Sequence, residues 1–124
     1  MNVRLNGVAG WTLIEIMIAV TLIGTLASIS VPGFIKARDA ASLNAIRSNV
    51  GKIDSVKQQW ALEQRVAATV VPTESDLQSY FKGGVMPANV IGEVYSINRL
   101  DEPASASVSF PFAGLAAGAA IYAQ

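Results

Sequence analysis

The chain has no cysteine and no histidine among its 124 residues. Without cysteine there is no disulfide to staple a small fold and no thiolate metal site. Without histidine the commonest general acid and base near neutral pH is missing, and no phosphate loop, Ser/His/Asp set or metal-ligand cluster stands in for it. An enzyme is not expected, and neither is a cofactor or a metal. An excess of one charge sign is lacking too: nine basic residues balance nine acidic ones. That removes the electrostatic footprint of a nucleic-acid-binding protein. No internal repeat is visible.

What the chain has in abundance is apolar surface, at 52% of its residues. From Ile16 to Ile35 twenty residues pass without a charge. At about 1.5 Å rise per residue such a helix spans the ~30 Å hydrocarbon layer of a bilayer. Glu15 stands immediately before that stretch, in Gly10-Trp11-Thr12-Leu13-Ile14-Glu15. A carboxylate inside a membrane segment costs at least ~2.5 kcal/mol on insertion scales, so Glu15 calls for a positive partner. The plainer alternative is an ordinary anchor whose Glu15 snorkels at the interface. Within the segment Gly24 and Ser28, with Ala27 beside them, form a small-residue face on which helices can approach closely. Pro32 lacks an N–H and crowds the Ser28 carbonyl, which predicts a kink or loosening there, with Ser28 and Ser30 able to serve freed backbone groups.

Ahead of the apolar stretch, Met1 to Gly10 carries one basic residue, Arg4, and no hydrophobic core of its own. It is unlike a secretory signal, whose apolar region precedes the cut and is discarded. Gly10, then aromatic Trp11, then Thr12-Leu13-Ile14-Glu15, with Gly24 and Pro32 downstream, resembles the leader junction of type IV pilins and of the pseudopilins of type II secretion systems. The resemblance implies cleavage by a prepilin peptidase between Gly10 and Trp11 and N-methylation of Trp11. It assigns subunit assembly to Glu15, Gly24 and Pro32, and it implies that the stretch between Gly24 and Pro32 melts in the filament. The physical logic is that the new amine of Trp11 on one subunit answers Glu15 of its neighbour, since a buried charge whose partner is removed costs ~3–5 kcal/mol. Trp11 departs from the family's usual phenylalanine, the leader is poor in basic residues, and the disulfide loop of many pilins is absent. Lys36 and Arg38 oppose Arg4 across the segment, so orientation with the N-terminus in the cytoplasm is taken from the resemblance.

Beyond the membrane segment Leu43, Ile46, Val50, Ile53, Val56 and Trp60 recur at three or four residues, predicting an amphipathic stem helix to about Arg65. Ile53 and Trp60 are expected against the C-terminal region, and Ala40, Ala41 and Ala45 toward neighbouring helices. Arg47, Lys52, Asp54, Lys57, Glu63 and Arg65 are expected on a solvated face with weak local pairs. Thr73 is placed as the N-cap of a short helix over Glu74–Lys82 that Gly83-Gly84 stops. Alternation over Glu93–Leu100 and Ser105–Phe110, either side of Asp101-Glu102-Pro103-Ala104, predicts a β-hairpin. Asp101 and Glu102 are read as a solvated turn rather than a calcium site, because calcium asks for six to eight oxygens. In the Ala/Gly-rich tail from Pro111 to Gln124, Phe112 or Tyr122 is expected to dock on the stem or on a neighbouring subunit, with an added strand as one route.

The expected fold is therefore α+β and pilin-like: a leader (1–10), a membrane-spanning helix (11–35), an amphipathic stem (36–65) and a small C-terminal domain (66–124) with a short helix and a hairpin. The expected function is that of a structural subunit, held in the inner membrane as a precursor and then polymerised with copies of itself into a type IV pilus-like filament. Its partners would be the prepilin peptidase and the pilus or secretion assembly machinery. A pseudopilin of a type II secretion system is the alternative, and a monomeric membrane-anchored binding module is the alternative of another class.

Overall fold

The computed structural model describes residues 10–124, so residues 1–9 of the expected leader, Arg4 among them, lie outside the described residues. The fold combines a long N-terminal helix, α1 (Leu13–Gln64), with a small C-terminal region. That region holds a short helix α2 (Glu74–Leu77), a 3-10 turn over Gln78–Tyr80 and three strands: β1 (Val94–Ser96), β2 (Ser105–Ser107) and β3 (Ala120–Ile121). The strands form one antiparallel sheet in the order β1-β2-β3. By its internal contacts the chain divides into two units, one ending at Ile35 and one running Lys36–Gln124.

In the first unit α1 is long and apolar enough to cross a membrane, and nearly all its large side chains are exposed, among them Ile14, Leu22, Leu26 and Phe34. Its hydroxyls are satisfied within the helix: Thr21 donates to the Met17 carbonyl at 2.7 Å, Thr25 to Leu22 at 2.9 Å, Ser28 to Thr25 at 2.8 Å and Ser30 to Leu26 at 3.0 Å. Such back-bonding leaves these four hydroxyls with a partner inside the helix itself. It also corrects the expectation at Pro32, because neither serine serves the Ser28 carbonyl that the proline leaves free. The helix nonetheless continues through Pro32 without interruption.

In the second unit the predicted stripe is the core. Ile46, Val50 and Ile53 are fully buried, Val56 is buried, and Leu43 and Trp60 pack at the margin. Leu77, Phe81, Ala104, Ala106 and Ile121 close over them, each fully buried Val, Leu or Ile side chain contributing about 1.5–3 kcal/mol relative to exposure. α1 ends where Arg65 turns into the left-handed region at φ 50°, close to the expected limit. The predicted helix over Glu74–Lys82 is shorter, α-helical only to Leu77 and then tightened into the 3-10 turn. Asp76 ties back to the Thr73 N–H at 2.9 Å and hydroxyl at 2.6 Å, bonds that hold its carboxyl below the ordinary aspartate range.

Two charged residues overturn their expected placement. Lys57 is not on a solvated face: it is 1% exposed, and its Nζ donates to the carbonyls of Arg99 at 2.9 Å and Glu102 at 2.7 Å and sits 3.5 Å from Asp54. Asp54 in turn accepts from the Ala104 N–H at 2.7 Å. A heptad-like stripe marks which helix face is apolar, but it cannot see that a loop returns its carbonyls to the edge of that face. These ties also explain why β1 is shorter than the alternation over Glu93–Leu100. Asn98 takes a left-handed φ of 56°, and the Arg99 carbonyl goes to Lys57 instead of to a sheet ladder. Asp101 pairs with Arg99 at 2.9 Å.

Alternation over Ser105–Phe110 likewise outruns β2, which ends at Ser107. The Val108 carbonyl accepts from the Gly118 N–H at 2.7 Å, where the tail folds back. The tail then adds β3, with Ala106 opposite Ile121 and Ser107 opposite Ala120. Phe112 packs against the core as expected, but the residue that docks from the last turn is Ile121, 3% exposed, while Tyr122 points outward at 49%. The tail lies close to α1 at Gly51, where a Cβ would meet that of Ala123 at 3.6 Å, an ordinary van der Waals contact.

Candidate functional site

The candidate site is the start of α1. Thr12 is its N-cap: its carbonyl accepts from the N–H groups of Glu15 at 3.1 Å and Ile16 at 3.2 Å. The Thr12 hydroxyl oxygen also accepts from the Glu15 N–H at 3.3 Å, while Glu15 Oε2 accepts from the Thr12 N–H and O–H, both at 3.4 Å. This reciprocal arrangement is a capping box, in which two backbone donors left free at a helix start are satisfied by side chains. A carboxylate there also faces the positive end of the helix dipole. The signal is present in the sequence as Thr-x-x-Glu ahead of an apolar run, and reading Glu15 only as a lone charge overlooks it.

Gly10 and Trp11 lie outside the helix and are exposed, Trp11 at 71%. Gly24 and Pro32 are exposed within it, about 14 and 26 Å along the axis from Glu15 at 1.5 Å per residue. Only Thr12 and Glu15 are brought together; the other marked residues are strung along one helix. A Cβ added at Gly10 or Gly24 would meet nothing within 4 Å. Neither glycine is required by packing inside this chain, so any requirement for a small residue there comes from a partner. Among the described residues no cation lies within ion-pair distance of Glu15.

The second unit holds a polar cluster that the alternation places in register but does not reveal as buried. Glu93, Tyr95 and Ile97 share one face of the strand pattern, and Glu93 is fully buried. Its carboxylate accepts from the N–H groups of Val90 and Ile91 at 2.9 Å and from the Tyr95 hydroxyl at 2.5 Å. Burial raises the Glu93 pKa, but these donors outweigh it and the net direction is downward. Burial and the neighbouring carboxylate push Tyr95 up to about 12. Asn49 on α1 donates to the Tyr95 hydroxyl at 3.0 Å and to the Ala88 carbonyl at 3.3 Å. Every oxygen in the cluster is occupied by the protein itself, which makes it a tie between helix and sheet rather than a reactive site. Among the described residues no group of three or more His, Cys, Asp or Glu converges.

No family model matches the chain, and no curated protein or solved structure matches it. The functional reading therefore rests on the residues and the geometry alone.

Proposed function

We propose that the chain is a pilin-like structural subunit, cut after Gly10, anchored by the apolar part of α1 and assembled through Glu15 into a filament of bundled N-terminal helices. The observation that carries the reading is a carboxylate at the head of a helix whose large apolar side chains up to Ile35 are exposed, directly after an accessible Gly10-Trp11 junction. An unsatisfied apolar surface of that length needs lipid or other helices around it. Glycines with no role inside the chain fit a peptidase at Gly10 and a neighbouring helix at Gly24. A pseudopilus is served by the same features, and the filament's length and location distinguish the two.

The capping box gives the second reading its footing: in a monomeric membrane-anchored module Glu15 would only close the first turn of its own helix. Glu15→Gln separates the two, because glutamine also serves at this position of a capping box but carries no charge. The filament reading expects Glu15→Gln to insert normally and to lose polymerisation, seen as missing fibres in sheared material by electron microscopy. The anchor reading expects no change. Intact mass spectrometry of the extracted protein should place the mature terminus at Trp11 with one added methyl group. A mature chain that keeps residues 1–10 would sink the processing step.

A further inference from the structure

We infer that the open edge of β1, with the groove beside it, takes an extended peptide of a partner protein as an added strand, one with apolar side chains at alternate positions and a basic residue at one end. The inference lies wholly within the second unit and does not depend on anchoring, cleavage or polymerisation.

In the order β1-β2-β3 the strand β1 is an edge. Among the described residues the backbone groups of Val94, Tyr95 and Ser96 find partners only in β2, so one side of the strand presents unpaired N–H and C=O groups. Proteins commonly close such an edge with a lysine, a proline or a bulge. β1 reads Val-Tyr-Ser in unbroken register and has none of these, and Val94 stands 62% exposed on it. At three residues the strand offers only a few ladder bonds, so a guest must also be held by its side chains. A groove of about 370 Å³ supplies the place for them: Val94 and Tyr95 line it from β1, and Val85, Met86, Pro87 and Asn89 line it from the preceding segment. Val85 is 69% exposed there.

Charge selects the guest. Glu74 and Glu93 are the carboxylates that line the groove, and no cation lines it. Glu93 is fully buried, its oxygens taken by the Val90 and Ile91 N–H groups and the Tyr95 hydroxyl. Glu74 is exposed and has no ion-pair partner among the described residues. Asp76, two residues on, is held by Thr73 and adds charge of the same sign. Lys52 donates at 3.3 Å to Asn49, the partner of the Tyr95 hydroxyl, but does not line the groove. A basic residue at the guest's end is therefore drawn to Glu74. A second copy of β1 is a poor guest: it would bring another Glu74 to the seam, and the first cation after it in the chain, Arg99, is already paired with Asp101 at 2.9 Å. A guest laid along β1 exchanges backbone bonds with it and turns alternate side chains toward Val85, Met86 and Val94.

The test uses the full chain in phosphatidylcholine nanodiscs, empty discs as the blank, and a fluorescent synthetic peptide, Lys-Val-Thr-Val-Thr-Val, followed by anisotropy. Saturable binding above the blank is expected, and its absence overturns the proposal. Two N-methylated forms, one at the valines and one at the threonines, each block a single edge of the peptide. Strand pairing predicts that one binds like the parent and the other is lost; equal binding of both refutes an added strand. Glu74→Lys should weaken the peptide by about five- to tenfold and favour Glu-Val-Thr-Val-Thr-Val in its place, and an unchanged affinity overturns the proposal. Val94→Lys closes the edge with a charge and should abolish binding, while binding that survives it overturns the proposal. Because both side chains are exposed, an unchanged circular dichroism melt should show that neither loss is a loss of fold. Slower amide exchange at Val94 to Ser96 on raising the number of chains per disc, with no peptide present, assigns the edge to a second copy and overturns the proposal as well. None of these readouts depends on Glu15, so failure here leaves the filament reading standing, and failure of that reading leaves this one to be decided on its own.

Discussion

The first and last halves of α1 share one helical geometry and have opposite relations to their surroundings. In the second, Ile46, Val50 and Ile53 are fully buried against α2, the sheet and the tail; in the first, Ile14 and Leu26 stay 66% and 67% exposed. The second half is a helix completed by its own chain. The first is a helix whose apolar side chains find almost no cover in their own chain; under the proposed function that cover comes from lipid or other helices. Under the proposed function, stability and assembly are therefore divided along the chain. Substitutions after Lys36 should be read out by melting, and substitutions before Ile35 by insertion and assembly.

The sharpest way to break that division is to make the same kind of cut on both sides. Ile53→Ala removes a fully buried side chain and should cost about 2–5 kcal/mol of stability, measured by denaturant unfolding of the detergent-solubilised chain. Leu26→Ala should leave that transition within about 0.5 kcal/mol of the parent. A comparable loss at Leu26 would mean that the first half is packed by its own chain after all.

Lys57→Met tests whether the second half is held by more than its apolar core. It keeps the stem of the side chain but strips the donor from the Arg99 and Glu102 carbonyls and the cation from Asp54. Hydrogen bonds to charged groups contribute about 1.5–3 kcal/mol each in mutational series, and a loss in that range is expected. Faster hydrogen exchange confined to residues 97–104 would locate the loss in the loop that Lys57 ties down.

Glu93→Gln should cost about 1–3 kcal/mol, because an amide oxygen cannot replace a carboxylate in front of three donors. The parent's pH profile carries the same information. Glu93 has a depressed value in the folded state, so its contribution is present above the ordinary value of 4.5 and is lost as pH falls through the folded value. Tyr95 has a raised value, so its contribution is complete below 10 and is lost as pH rises from 10 to about 12. In Glu93→Gln the acid limb should flatten, as followed by thermal melting across pH.

How much of this could be read from the sequence differs between the two halves for a physical reason. The long helix and its buried stripe were legible because side-chain periodicity is a local property of the chain. Lys57 was not legible, since its burial depends on a loop more than forty residues away that closes over it. Glu93 was partly so: alternation puts it on the face of Tyr95, yet the pattern cannot say that Val90 and Ile91 turn their N–H groups toward it. The strands ended early for a similar reason, because the Arg99 and Glu102 carbonyls and the Ala104 N–H go to Lys57 and Asp54 of α1, while the Leu100 and Asp101 N–H groups go to the carbonyls of Val70 and Ala68. At the head of α1 the Thr12–Glu15 box was written in plain spacing, and attention to Glu15 as a charge hid it.

The smallest expected effect sharpens the comparison most finely, because the two Thr-x-x-acid starts are chemically alike and differ in setting. Around Thr73 and Asp76 the side-chain bonds are 2.6 and 2.9 Å; around Thr12 and Glu15 they are 3.3 to 3.4 Å. Loss of an N-cap costs about 0.5–2 kcal/mol, and Thr73→Ala should lower the melting transition by an amount near the bottom of that range, since the helix it starts is one turn long. Thr12→Ala should leave the transition where it is, for its helix end is not part of the unit that melts. Its effect should be local, as faster amide exchange at Leu13 to Glu15 in detergent. If Thr12→Ala lowers the melt as far as Thr73→Ala does, the head of α1 contributes to the folded core, and Glu15 is better understood as a structural cap than as a group held ready for a neighbour.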